Sequence, residues 1–128
     1  MEKRVLLMAI SAFVVFLLCG AAHANPGIAT FYTTYTPSAC YGNQPEGVMI
    51  AAASDSLWDN GKICGQMFTV KCTGPRNPVP HPCNGNSVTV KIVDHCPSCP
   101  STLDLSREAF AAIADPVAGI INIDYAPA

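Results

Sequence analysis

Two aspartates flank a short loop with two cysteines in the second half of the chain. A strand-like run over residues 88–94 ends in Asp94, the loop Cys96-Pro97-Ser98-Cys99 follows, and Asp104 stands just before a predicted helix. Glycoside cleavage uses such a pair of carboxylates, one as acid and the other as base or nucleophile. The order of these residues therefore raises three alternatives: chemistry on a sugar, contact with a glycan, or a structural role.

The structural alternatives are specific. Asp104 precedes the predicted N-cap Ser106 by two residues, near the positive end of the helix, where a negative charge is stabilising. Asp94, at the predicted end of a strand, is suited to bond the backbone of the cysteine loop in an Asx-type turn. On the residues alone, all three roles stay open.

Six of the seven cysteines lie beyond the apolar N-terminal segment, and an even set in a small secreted domain predicts a disulfide framework. Proximity favours Cys96–Cys99, and the loop at residues 73–87 suggests Cys72–Cys83. Cys40–Cys64 then remains, although six cysteines allow fifteen pairings and the sequence does not settle them.

Two chemical uses of the Cys96–Cys99 loop are weaker alternatives. Redox catalysis is disfavoured because Pro100 and more loop follow, where a redox motif opens a helix. A zinc site using His81, His95 and the two thiols is disfavoured by the oxidising compartment. We therefore predict no metal and no cofactor.

Residues 1–24 have the features of a secretory signal peptide. A basic start precedes an apolar run at residues 5–18, which is short for a membrane span, and Ala22-His23-Ala24 is a cleavage signal. The predicted mature domain is residues 25–128, with a net charge of −3. A mildly acidic domain is a poor nucleic-acid binder. We expect a secreted monomer without membrane insertion.

The pattern of side chains predicts several short strands. Strands are expected at residues 27–34, 66–72, 88–94 and 118–125, while residues 47–53 fit a strand or a helical turn. The four prolines of residues 73–87 predict a surface loop that joins no sheet. These elements indicate a small β-barrel or sandwich.

The helical signals are fewer. Ser106 is a natural N-cap, and Pro116 ends the predicted helix at Asp115. A single helical turn is expected at residues 54–58, followed by a turn at Asn60-Gly61. Trp58 is expected to be a core anchor beside this turn.

A family resemblance rests on motifs that occur in a fixed order. They are Gly27-Ile28-Ala29-Thr30-Phe31-Tyr32, Cys40-Tyr41-Gly42, Trp58-Asp59-Asn60-Gly61, Cys64-Gly65, Val70-Lys71-Cys72, residues 90–94 and Leu103-Asp104-Leu105-Ser106. The chain resembles the first domain of expansins, and more closely the plant natriuretic peptide-like or EG45-like domain proteins. Barwin, kiwellin and family 45 endoglucanases are more distantly similar. The resemblance implies a mainly β, six-stranded double-psi β-barrel with one short helix and disulfide-stapled loops.

The resemblance also implies a site. Thr30, Tyr32, Asp94 and Asp104 match groove positions, and Asp104 matches the catalytic acid of the endoglucanases. Their base belongs just after the first strand's tyrosine, where this chain has Tyr32-Thr33-Thr34-Tyr35 and no carboxylate. Loss of a base costs roughly 10² to 10⁴ in rate. We therefore expect a relic groove rather than an enzyme.

Three functions follow from the resemblance. The first is a non-enzymatic signal in the apoplast for water and solute homeostasis and stress, read by a plasma-membrane receptor through residues 40–71. The alternative is binding of a cell-wall polysaccharide, or defence, through the groove. The third is residual hydrolase or lytic transglycosylase activity, since Asp94 matches a groove aspartate of the bacterial rare lipoprotein A barrel. The expansins' second domain is expected to be absent, because the sequence ends at Ala128.

Overall fold

The computed structural model describes residues 24–128. The predicted signal peptide, residues 1–24, lies outside the described residues except for its last residue. The described residues form six strands and two short α-helices. They are β1 (Asn25–Tyr32), β2 (Ile50–Ser54), α1 (Asp55–Trp58), β3 (Met67–Pro75), β4 (Ser87–Cys96), β5 (Leu103–Ser106), α2 (Arg107–Ile113) and β6 (Ile120–Pro127). Short 3-10 turns occupy Asp59–Gly61 and Pro116–Ala118.

The strands close into a barrel in the order β1-β5-β2-β4-β3-β6. The β1–β5 and β2–β4 pairs are parallel, whereas the remaining four pairs are antiparallel. The six-stranded double-psi barrel implied by the resemblance is confirmed. The ambiguous segment at residues 47–53 contributes a strand, β2, whose five residues are all buried.

The core lies inside this barrel and under α2. Alternate residues of the strands point inward, and Val70, Val90 and Ile123 are almost fully buried. Helix α2 adds Phe110, whose ring centroid lies 5.1 Å from that of Phe31. One continuous apolar core therefore holds all six strands in register.

The helix α2 begins where the sequence predicts. The Ser106 hydroxyl accepts a hydrogen bond from the Ala109 amide at 3.0 Å and donates one to the Val48 carbonyl. This N-cap satisfies one of the free amides at the helix start. The helix ends at Ile113, with Ala114 as its C-cap. Asn60 and Gly61 both take positive φ, as predicted for their turn.

The prediction that residues 73–87 join no sheet is wrong at both ends, and Ser87 already belongs to β4. Strand β3 continues to Pro75, which pairs with Ile121 of β6. Pairing of β3 with β4 ends at Lys71, so Pro75 has a neighbouring strand on one side only. The missing N–H of proline is tolerated at such a free edge.

Three disulfides close the loops: Cys40–Cys64, Cys72–Cys83 and Cys96–Cys99. These are the pairs that spacing favours. Within residues 24–128, no helix is long and apolar enough to cross a membrane.

Candidate functional site

A row of residues crosses four neighbouring strands on the outside of the barrel. Ala52 of β2 is in register with Asp94 of β4 on one side and with Asp104 of β5 on the other. Asp104 is in turn paired with Thr30 of β1. Residues in register point to the same face of a sheet, and neighbouring strands lie about 4.8 Å apart. The backbones that carry the two aspartates are therefore about 10 Å apart, with a small side chain between them.

Ala52 lies between the two aspartates of this row. Its neighbours Ala51 and Ala53 belong to the core cluster and Ala52 does not, so its methyl group faces the same side as the two carboxylates. We call the surface of Thr30, Tyr32, Asp94 and Asp104 the groove. The structure brings all four predicted site residues to one region.

Asp104 is held by a chain of hydroxyl groups. The Thr30 hydroxyl donates to Asp104 Oδ1 at 2.9 Å and lies 2.7 Å from Ser101 Oγ, which is thereby placed to donate to Thr30. Ser101 is itself buried. Cys99 Sγ lies 3.8 Å from Asp104 Oδ2, but a disulfide sulfur has no proton to donate. The carboxylate is thus fixed by neutral groups.

Asp104 does not have the predicted capping role. Asp104 lies in strand β5, and the cap of α2 is Ser106. Burial raises the pKa of Asp104, the hydrogen bond from Thr30 opposes the rise, and the charge of Asp94 adds to it. A raised carboxyl pKa is typical of a functional site as well as of a partly buried side chain.

Asp94 lies inside β4, two residues before its end, so the prediction of a strand-end turn is wrong. Its Oδ1 accepts hydrogen bonds of 2.9 Å from the Ala39 and His95 amides. Ala39 belongs to the loop after β1, not to the Cys96–Cys99 loop. Asp94 thus ties that loop to the barrel while its second oxygen is left for other partners.

Tyr32 follows Thr30 by two residues and lies on the same face of β1, because Ala29 and Phe31 pack into the core. Its hydroxyl oxygen is buried and has no hydrogen-bond partner among the described residues. Burial, followed by the charges of Asp94 and Asp104, raises the pKa of Tyr32 well above its usual range. The phenol therefore stays protonated beside the two carboxylates.

Two further residues near the groove were missed by sequence reasoning. The Tyr35 ring packs edge-on against Tyr32, with centroids 5.3 Å apart. The Tyr35 hydroxyl donates to the Glu108 carboxylate and accepts from the Arg107 amide at 3.2 Å. The hydrogen bond from Tyr35 lowers the pKa of Glu108. No local signal connects a loop after β1 with a helix more than 70 residues later.

A second cluster lies beside the Cys96–Cys99 loop. The His95 ring stacks on Trp58 at 4.3 Å, and its Nε2 lies 2.7 Å from Asp55 Oδ1. Trp58 packs against the core, as expected of an anchor, but it is only half-buried, and its ring also stacks on His95 of β4. A polar hollow of about 330 Å³ lies next to this cluster and is lined by Asp55 and Ser101, among others.

The zinc alternative lacks the thiolates it needs while Cys96 and Cys99 form a disulfide. The sulfur atoms of Cys96 and Cys99 and a carboxylate oxygen of Asp104 lie within 4.8 Å of one another. Both sulfurs are joined in a disulfide, so they offer no thiolate to a metal. The His95 Nε2 is occupied by Asp55. A hollow of about 440 Å³ beside Pro75 and His81 shares no lining residue with the groove.

Comparisons with known proteins agree with this fold. A family model described as "Lytic transglycolase" matches residues 50–125. EG45-like domain containing protein 1 of Arabidopsis thaliana is 74% identical over 118 residues, which cover 91% of this chain and 94% of that protein. The EG45-like domain containing protein of Citrus jambhiri is 54% identical over 121 residues, 92% of each chain.

A solved structure is similar as well. A mutant of the Clavibacter michiganensis expansin, crystallised in complex with cellohexaose, superposes with a TM-score of 0.65 and 30% sequence identity. The match covers 83% of this chain and 50% of the expansin.

Proposed function

The chain belongs to the family of EG45-like domain containing proteins, and from that premise we propose that it is a secreted, non-hydrolytic protein that binds a cell-wall polysaccharide in the groove. In this proposal residues 25–128 act in the apoplast after removal of residues 1–24. The disulfide framework is suited to that oxidising compartment.

The observation that carries the proposal is the row of Asp94, Ala52, Asp104 and Thr30. Carboxylates and hydroxyls on one face are the acceptors and donors that sugar hydroxyls pair with. The small Ala52 leaves space between the carboxylates, and Tyr32 adds an aromatic ring beside them. The expansin that crystallised with cellohexaose shares the fold, which supports a glycan as the ligand.

The same geometry favours binding over hydrolysis. Asp104 has the half-buried position of a general acid, but an inverting reaction also needs a base that activates water. Asp94 does not stand at the position of the endoglucanase base, and two backbone amides hold its Oδ1, although its second oxygen is left for a partner; Glu108 is bonded to Tyr35. The stretch from Tyr32 to Tyr35 offers no other carboxylate.

Retention on insoluble glycans tests the proposal. Purified protein is mixed with cellulose, xylan, chitin and peptidoglycan, and the bound fraction is measured. We expect retention on at least one of them, and a loss of about tenfold in affinity for Tyr32→Ala and Asp104→Asn. Asp124→Asn, a matched loss of one charge on β6, should bind like the wild type. Absence of retention on every glycan, or equal retention of all variants, would contradict the proposal.

Release of soluble sugar ends tests the non-hydrolytic part separately. Long incubation with the retained glycan should give the same background for the wild type and for Asp104→Asn. A wild-type rate clearly above that of the variant would show residual hydrolase or lytic transglycosylase activity, and the protein would then be an enzyme.

A second candidate function, signalling through a plasma-membrane receptor in water and solute homeostasis, is favoured by one surface. Val48, Met49 and Met67 are 45%, 42% and 43% exposed, and all three belong to residues 40–71. Met49 and Met67 both lie next to Lys91. The Met49 carbonyl accepts a hydrogen bond from the Lys91 amide, and Met67 of β3 pairs with Lys91 of β4. Exposed apolar side chains that lie together are typical of protein contacts.

Labelled protein added to plant membranes tests this second function. Saturable binding that is lost in Met49→Ser with Met67→Ser, and is kept in Val117→Ser, is the expected result. Val117 is 72% exposed and lies outside residues 40–71, so it controls for the loss of one apolar surface side chain. Binding that never saturates, or that all variants share, would exclude a receptor site on this surface.

A further inference from the structure

The groove carries two negative charges that no basic side chain offsets. The donors to Asp94 are backbone amides, and the donor to Asp104 is the Thr30 hydroxyl. Two ion pairs form in the part of the chain that the structure describes, and neither includes Asp94 or Asp104. The field of each carboxylate reaches Tyr32, and that of Asp94 reaches Asp104.

The nearby basic groups lie beside other acidic side chains. Lys91 Nζ lies 3.3 Å from Glu46 and 4.7 Å from the centre of the Tyr41 ring. His95 Nε2 is paired with Asp55, which is itself acidic. Arg107 is exposed at the first position of α2, beside Glu108. Among the described residues, these basic groups thus face other acidic side chains, and none of them pairs with Asp94 or Asp104.

The buried hydroxyl of Tyr32 is a second, independent observation. It lies beside both carboxylates and has no hydrogen-bond partner among the described residues. An unpaired buried polar atom costs free energy until a partner reaches it. A donor that enters between Asp94 and Asp104 would give the phenolic oxygen that partner.

We infer, resting on the proposed glycan-binding function, that the groove selects polysaccharides of glucosamine, such as partly deacetylated chitin. A primary ammonium at C2 of the sugar supplies three donors and one positive charge for the two carboxylates. A neutral β-glucan lacks this charge, and a uronate polymer adds like charge, which is repelled. The selectivity thus comes from Asp94 and Asp104, not from the net charge of the chain.

Calorimetric titration with four oligosaccharides tests the inference. They are the hexamers of glucosamine, of N-acetylglucosamine and of galacturonate, and cellohexaose, the hexamer of glucose. The titrations are made at about pH 6 and repeated at about pH 7, because burial raises the pKa of Asp104 above that of an ordinary carboxyl group. We expect the glucosamine hexamer to bind about tenfold more tightly than the N-acetylated one, and no binding of galacturonate. Added salt should weaken only the glucosamine complex.

Two variants that each remove one negative charge, Asp104→Asn and Asp124→Asn, separate the effect of the groove carboxylates from that of the net charge. Asp104→Asn should reduce the preference for glucosamine to about twofold. Asp104→Glu should restore most of the preference, and Asp124→Asn should leave it unchanged. Equal loss in Asp104→Asn and Asp124→Asn would mean non-specific attraction to an acidic protein, and the inference would be wrong.

The outcomes also separate the inference from the proposed function. If the glucosamine and N-acetylglucosamine hexamers bind equally, the charge selectivity is wrong and glycan binding stands. If no hexamer binds but an insoluble glycan retains the protein, the inference is wrong and the proposed function stands; if neither test gives binding, both are wrong.

Discussion

Ser106→Ala should be among the most destabilising exchanges of a single hydroxyl in this protein. Ser106 is fully buried at the junction of β5 and α2. Its hydroxyl group serves two partners at once, the Ala109 amide and the Val48 carbonyl. The exchange to alanine removes both bonds and leaves the carbon skeleton unchanged.

The magnitude follows from the two bonds. Loss of an N-cap hydroxyl costs about 1 kcal/mol. The Val48 carbonyl loses its donor, which costs about 1 kcal/mol more, at the low end of the range because Val48 is 45% exposed and water can reach it. The sum of about 2 kcal/mol is a substantial part of the 5–15 kcal/mol that stabilises a typical domain, and corresponds to a fall in Tm of roughly 10 °C.

Urea denaturation followed by circular dichroism, without reductant, measures the loss. The m-value should stay constant, because the surface exposed on unfolding does not change. Ser56→Ala is the matched control: Ser56 is exposed and its hydroxyl contacts only Ser54, so its effect should stay within about 0.5 kcal/mol. A loss in Ser106→Ala no larger than in Ser56→Ala would refute the two-partner role of the hydroxyl.

Three further predictions concern the groove and a disulfide. Because the pKa of Asp104 is raised in the folded state, its ionisation weakens folding as the pH rises above the ordinary carboxyl range. Asp104→Asn should therefore be more stable than the wild type at neutral pH and lose this advantage in acid, whereas Asp124→Asn should show no such pH-dependent gain in denaturation curves. Tyr32→Phe removes an unpartnered buried hydroxyl and should be neutral or stabilising by about 1 kcal/mol. It should also remove a tyrosine that ionises late in an alkaline absorbance titration, and an unchanged titration would contradict the burial of Tyr32. Replacing Cys72 and Cys83 together by alanine opens a loop with a sequence separation of 11 and should cost about 3 kcal/mol in thermal or urea unfolding. An unchanged Tm would show that the disulfide does not constrain the unfolded chain.

Local patterns in the sequence were sufficient for several elements. The alternation of Val88, Val90 and Ile92 predicts β4, and Ser106 predicts the start of α2. These predictions succeed because side-chain periodicity and capping depend on near neighbours in the chain. Residues 47–53 could not be assigned, because a short apolar run fits either a strand or a helix.

Elements that depend on distant partners in the chain were harder to predict from the sequence. Strand β5 has only four residues, and the alternation of Leu103, Asp104 and Leu105 is too short to identify it from the sequence. It exists because β1 and β2 hold it from both sides. Pro75 joins a sheet for a related reason, since β6 pairs with it from one side and the pairing of β3 with β4 ends at Lys71.

The residue types of the site were set by the sequence: two aspartates, a threonine and a tyrosine, with no base after the first strand. Their assembly was decided by parallel pairing between segments far apart in the chain. Thr30 and Asp104 are 74 residues apart, and they meet because β5 inserts between β1 and β2. The same closure buries Asp104 and the Tyr32 hydroxyl and places Asp94 close enough to act on both. Charge and chemical type are properties of single residues, whereas burial, register and the electric field between side chains exist only once the barrel has closed.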